Sequence, residues 1–287
     1  MKKIILSLFA ILSLLGAFGQ EKDLGKIADS IKSEGVALYK SEWASWYGTD
    51  IFTEKCQARR AIAGGYISYD TGEALVNVFF SKGPEPKILS TITFGYGFDP
   101  KEYKLDTANR DFSNPEKELY TIRQNAIARI NKDTLFKTYS NTELNPVPLI
   151  RNGVKKVYVL TGTDATGVVL FGNDYRVDFD DNNNVTSVKK LHKGLIPARF
   201  SNDTSKQTQI QLASMHTHLP KYDQFITSTD ICTLMLYEKF TTWNQCVVMS
   251  KNYTSIWDCK RNQLIILTTE AWKKMNPLKN ALENNSH

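Results

Sequence analysis

The sequence predicts an α+β protein of two domains: an N-terminal helix plus antiparallel meander, then a C-terminal mixed β-sheet with helices. Three observations carry this. Apolar residues recur at helical intervals from Lys22 to about Trp46, the pattern changes to strands between Gly64 and Phe98, and a later series of strands is broken by one apolar helix from Ile231 to Phe240. Length agrees with two domains: the chain has 287 residues, and removing a 19-residue leader leaves 268. The expected divisions are residues 1–19 for the leader, 20–146 for the first domain and 147–287 for the second.

Residues 1–19 have the three parts of a secretory signal peptide. Lys2 and Lys3 precede an apolar run from Ile4 to Leu15, and small residues follow at Gly16, Ala17 and Gly19. The run is too short for a membrane span, and no later stretch qualifies, so the expectation is a periplasmic or secreted protein with no membrane span after signal removal. Losing Lys2 and Lys3 takes the net charge from +6 to +4, and the remaining basic residues are scattered. A nucleic-acid partner is not indicated.

In the first domain, Leu24, Ile27, Ile31, Val36, Leu38 and Tyr39 predict one amphipathic helix, or a pair broken at Gly35. Trp43, Trp46, Tyr47, Ile51 and Phe52 read as a core anchor in preference to a carbohydrate platform. Strands are expected over 65–69, 74–80 and 88–94, with turns at Asp70-Thr71-Gly72 and Gly83-Pro84. Asn114-Pro115-Glu116 starts a helix whose Leu119, Ile122, Ala126 and Ile130 share a face and cover one side of the meander.

The second domain opens beyond Pro146-Val147-Pro148. Strands are expected at 155–160, 168–179 and 185–191, the last two joined by a plain Asn/Asp hairpin turn at Asp180–Asn184 that lacks the flanks and distal Glu of a calcium loop. A strand from Ile210 to His218 ends in His216-Thr217-His218, two of only four histidines in the chain. Residues two apart on a strand share a face, so one cation could bridge the pair. Asp230, in the first turn of the following helix, completes a His/His/carboxylate set that suits Zn2+ and leaves a fourth position open. Taken without the histidines, Thr227 and Asp230 are explained by a helix capping box. Of four cysteines, Cys246 and Cys259 fall opposite each other if a hairpin turns at Asn252-Tyr253, as a disulfide or as two small apolar side chains.

Over roughly Val154 to Leu267 the order of elements and the pattern His216-x-His218…Thr227-x-x-Asp230 resemble the JAMM/MPN zinc metallopeptidases, with a gap one residue longer and Thr227 at the family's serine position. The resemblance implies a JAMM/MPN-like fold for the second domain, hydrolysis of an amide by metal-activated water, and Thr227 as a donor to the tetrahedral oxyanion. It also implies a glutamate base upstream. Asp164-Ala165-Thr166-Gly167-Val168-Val169-Leu170-Phe171-Gly172 stands at the corresponding place, and no glutamate occurs between Glu143 and Glu238. The base is then Asp164, a more distant acid, or absent. The resulting expectation is an exported zinc peptidase or amidase acting on a peptide or protein outside the cytoplasm; the alternative is an inactive binding module that keeps the fold or the metal site.

Overall fold

The computed structural model describes residues 23–200, 213–217 and 222–275. Residues 1–19, where a leader is expected, and His218 fall outside them. The architecture is α+β, as the patterning predicts. Helix α1, Leu24–Lys55, is one unbroken rod of 32 residues whose first turn is capped by Asp23, Oδ1 accepting from the Lys26 N–H at 3.0 Å. Gly35 does not break it. A Cβ there would stand 2.7 Å from both Cβ and Cγ2 of Ile231, so the glycine marks where α1 crosses a later helix at close range. Gly48 serves the same purpose against the first sheet, where a Cβ would meet Asn77 at 2.5 Å.

A short 3-10 turn, Gln57–Ile62, leads into the meander β1 (Ala63–Asp70), β2 (Leu75–Ser81), β3 (Ile88–Phe94) and β4 (Tyr103–Asp106), antiparallel and in sequential order. Strand β4 is additional to the three expected from pattern. Helix α2, Asn114–Ile130, begins as predicted, with Ser113 as its cap and a complete Ser113–Glu116 capping box. Its apolar face is divided between two sheets. Leu119 packs with Ile67 and Val78 of the meander, whereas Ile122 and Ala126 join Val157, Val159, Tyr175 and Val177 of the next sheet.

That sheet has the order β5 (Glu143–Arg151), β6 (Val154–Gly162), β8 (Tyr175–Phe179), β9 (Val185–Lys190). Pro146 and Pro148 stand inside β5, which is tolerable because β5 is an edge strand with one neighbour, and two residues two apart turn their ring nitrogens to the same side. Asp180–Asn184 is a plain hairpin turn, closed by Asp180 accepting from the Asn184 N–H at 2.8 Å. The single strand expected over 168–179 is two: β7 (Val168–Gly172) pairs with β10 (Leu195–Arg199), and the chain breaks at Asn173-Asp174 before entering β8.

The last sheet is mixed. Strand β11 (Ala213–Thr217) runs parallel to β12 (Gln245–Met249), with helix α3 (Ser228–Tyr237) between them in sequence, and β13 (Tyr253–Asp258) and β14 (Gln263–Thr268) continue antiparallel before a short helix α4 (Thr269–Met275). The β12–β13 register sets Cys246 opposite Trp257, two residues out of step with a Cys246–Cys259 pairing, because the turn lies at Ser250–Asn252. All four cysteines are free and buried.

One buried cluster joins α1 to the C-terminal elements. Leu38, Tyr39 and Trp43 share it with Ile231, Leu234, Trp243, Cys246 and Trp257. Trp43 is part of this core, edge-on to Phe94 and Phe98. Among the described residues no helix is long and apolar enough to cross a membrane.

Candidate functional site

The β11–α3–β12 crossover brings the carboxyl end of β11 to the amino end of α3, the place where open α/β units gather ligands. Backbone register makes this specific. His216 pairs with Val248 and Val248 with Ser255, and the Ser255 hydroxyl accepts from the Ile226 N–H at 3.1 Å. The entry to α3 therefore stands over the same row of the sheet that His216 occupies, about two strand spacings or roughly 10 Å across.

Asp230 is fully buried in that entry. Its Oδ2 accepts from the Thr227 N–H and the Thr227 hydroxyl, each at 2.9 Å, while the Asp230 N–H donates back to Thr227 Oγ1 at 3.1 Å. Thr227 and Asp230 thus do form a capping box. Thr227 Oγ1 also meets Thr229 Oγ1 at 2.9 Å, which turns the Thr227 hydroxyl inward, onto the ligand candidate.

Two residues that pattern did not single out complete the cluster. His192, 3% exposed, places Nε2 3.3 Å from both carboxylate oxygens of Asp230 and Nδ1 3.6 Å from Oδ2 of Asp174. Asp174 accepts from the Thr161 N–H at 3.3 Å and is hydrogen-bonded by the Thr229 hydroxyl. Asp174, His192, Asp230, Thr227 and Thr229 so close a ring. Burial lowers the His192 pKa, but the charge and hydrogen bond of Asp230, with Asp174 beyond, outweigh it and raise it to about 9. Burial pushes the Asp174 carboxyl up, to about 7, against the pull of His192.

The Gly172-Asn173-Asp174 break builds this cluster. Gly172 has φ +79°, and a Cβ on it would lie 2.3 Å from the Gly194 carbonyl oxygen. Asn173, at φ 55°, accepts from the Tyr175 hydroxyl at 2.8 Å and donates to the Lys137 carbonyl at 2.8 Å. The Leu191 N–H donates to the Asp174 carbonyl at 2.9 Å, which brings the end of β9, and His192 with it, beside Asp174. A Gly-Asn pair inside an apolar strand pattern is the signal that points here.

Asp164 is exposed in the β6–β7 turn. Among the described residues no group of three His, Cys, Asp or Glu side chains has the spacing to hold a metal ion, and His218 lies outside them. A cavity of about 800 Å3 opens between α1, the end of β1, the start of α2 and the end of β5; Asp164, Thr227 and Asp230 do not line it. The chain matches no family model, and comparisons with curated proteins and with solved structures find no match.

Proposed function

We propose that this chain is an exported zinc-dependent hydrolase of amide bonds, with His216, His218 and Asp230 as metal ligands and a peptide or protein substrate outside the cytoplasm. The observation that carries this is Asp230: a buried carboxylate, oriented by Thr227 and His192, at a helix entrance level with His216 across a parallel crossover. Two imidazoles and a carboxylate are a donor set suited to zinc. Zinc, when bound, supplies Lewis-acid polarisation of a scissile carbonyl. Thr227 holds the carboxylate, and the α3 amino end adds a positive dipole that favours negative charge in the same space.

Amide hydrolysis also calls for a base at the metal-bound water. A positioned base contributes a factor of roughly 10² to 10⁴. Asp164 is exposed in its turn, and Asp174 is buried behind His192. These two observations favour a second reading, a module that keeps the metal site and binds a partner without turning it over.

Zinc content of the purified full chain, compared with the His216→Ala/His218→Ala double variant, tests the metal. Stoichiometric zinc in the first and background zinc in the second is expected, and equal zinc in both refutes the site. A peptide-cleavage assay on the zinc-loaded protein then separates the two readings: cleavage abolished by Asp230→Asn supports the hydrolase, and an inert, zinc-bearing wild type supports the module.

A further inference from the structure

We infer that the cavity between α1, α2 and the ends of β1 and β5 is a binding site for a small monoanionic carboxylate with an apolar body, its head held by Arg151 and Lys32. The site is independent of the metal reading above. Helix α1 turns Ile31 and Gly35 towards α3, whereas Ser33, Val36, Ala37 and Lys40, on another face of the same rod, line the cavity. Its volume of about 800 Å3 is of the size usual for small-molecule sites, about 300–1,000 Å3. It lies where two edge strands of different sheets, β1 and β5, come together without pairing. Its apolar walls are Val36 and Ala37 of α1, Leu119 of α2, and Pro148, Leu149 and Ile150 of β5. Ser41 and Ser68, which also line it, are buried and engaged with the protein: Ser41 donates to the Ser68 carbonyl at 3.1 Å, and Ser68 Oγ meets Ser45 Oγ at 2.8 Å and accepts from Asn77 at 2.9 Å. The interior is thereby left to the apolar part of a ligand.

Charge is confined to the rim. Asp70 is paired with Lys40 at 2.6 Å and Glu118 with Lys155 at 2.5 Å, so both of these carboxylates are matched. Arg151 and Lys32 are not: among the described residues neither forms an ion pair. Arg151 Nη2 donates instead to the Ser33 hydroxyl at 2.8 Å, which draws the guanidinium to the α1 wall, one residue from Lys32. Asp29, exposed, is the one lining carboxylate outside an ion pair among the described residues. Two cations against one carboxylate leave a single positive charge, which a monoanion balances. A dianionic phosphate would exceed it and stand near Asp70 and Glu118 as well. The planar guanidinium fork also suits a carboxylate. Pro146 and Pro148 remove N–H donors that an added peptide strand would need from the β5 edge, which favours a small molecule over a peptide.

Calorimetric titration of the full chain with decanoate, octanoate, decanol and decyl phosphate tests this, with Arg151→Gln, Lys32→Gln and the cavity-filling Ala37→Phe as variants. Decanoate should bind saturably at one site. Octanoate, two methylenes shorter, should bind roughly 15-fold more weakly. Arg151→Gln should weaken decanoate by roughly 10-fold or more, Lys32→Gln should weaken it too, and Ala37→Phe should abolish binding. Decanol and decyl phosphate should both bind less tightly than decanoate. Thermal unfolding without ligand shows which variants are intact; Arg151 is exposed, so Arg151→Gln decides the matter even where Ala37→Phe fails to fold. A wild type without saturable binding overturns the site, as does an unchanged decanoate affinity in either intact charge variant. Decanol binding as tightly as decanoate would refute the anionic head, and tighter binding of decyl phosphate would refute the monoanion. None of these results depends on zinc.

Discussion

Replacing Glu116 with glutamine is expected to destabilise the protein by roughly 3 kcal/mol at neutral pH, with the difference from wild type shrinking as the solution is acidified. Glu116 is 1% exposed. Burial pushes its carboxyl up, but Arg110 donates to both oxygens at 2.7 Å, Tyr69 and the Ser113 N–H add further hydrogen bonds, and together they hold it at about 2, against an ordinary value of 4.5. A carboxyl depressed in the folded state contributes stability that is complete above the unfolded value and is lost as pH falls from about 4.5 towards 2. Arg110 is a third exposed, so the figure is an upper one. Urea melts of both proteins at pH 7, 4 and 3 check this; a difference that does not change with pH would show that the loss comes from packing or capping and not from the charge.

The second large effect is expected at the glycines of α1. Alanine is a better helix former than glycine by roughly 1 kcal/mol, so helix propensity alone predicts that every glycine-to-alanine change in α1 stabilises. Gly25→Ala should follow that rule, since its Cβ would meet only Asp23 Oδ1, at 3.4 Å. Gly35→Ala should do the opposite. Its Cβ would press to 2.7 Å against the β-branched centre of Ile231, which is fully buried and cannot swing aside, and overpacking of this kind costs about 1–3 kcal/mol. Gly48→Ala, pressing on buried Asn77 at 2.5 Å, should behave like Gly35→Ala. Thermal unfolding of the three variants decides: stabilisation by Gly35→Ala would mean that α1 and α3 are not in close contact.

The sequence patterns that proved readable are those with a local cause. Alternation over 88–94, the Pro115 helix start and the Asn/Asp turn at 180–184 each depend on neighbouring residues only, and each is found where expected. The capping-box geometry of Thr227 and Asp230 was equally legible, being a four-residue motif. What escaped has a non-local cause. Gly35 reads as a helix breaker until Ile231, almost two hundred residues later, is known to lie against it. The break at Gly172–Asp174 is hidden inside an apolar run because β7 and β8 belong to different sheets. His192 and Asp174 carry no spacing motif with Asp230, and only the fold makes them neighbours. Strand β5 was masked by its two prolines, which an edge position accommodates.

Helix α1 has a consequence for any attempt to dissect the protein. Glu34 accepts from Lys156 and from the Tyr158 hydroxyl, each at 2.6 Å, and Ser228 donates to the Ile31 carbonyl at 3.4 Å. A fragment starting after residue 146 would leave Ile231 and Leu234 facing water, so cutting the chain at the apparent seam yields no autonomous module. Melting should proceed as one event, and heating should release the neighbourhood of Asp230 no sooner than the rod that spans both halves lets go.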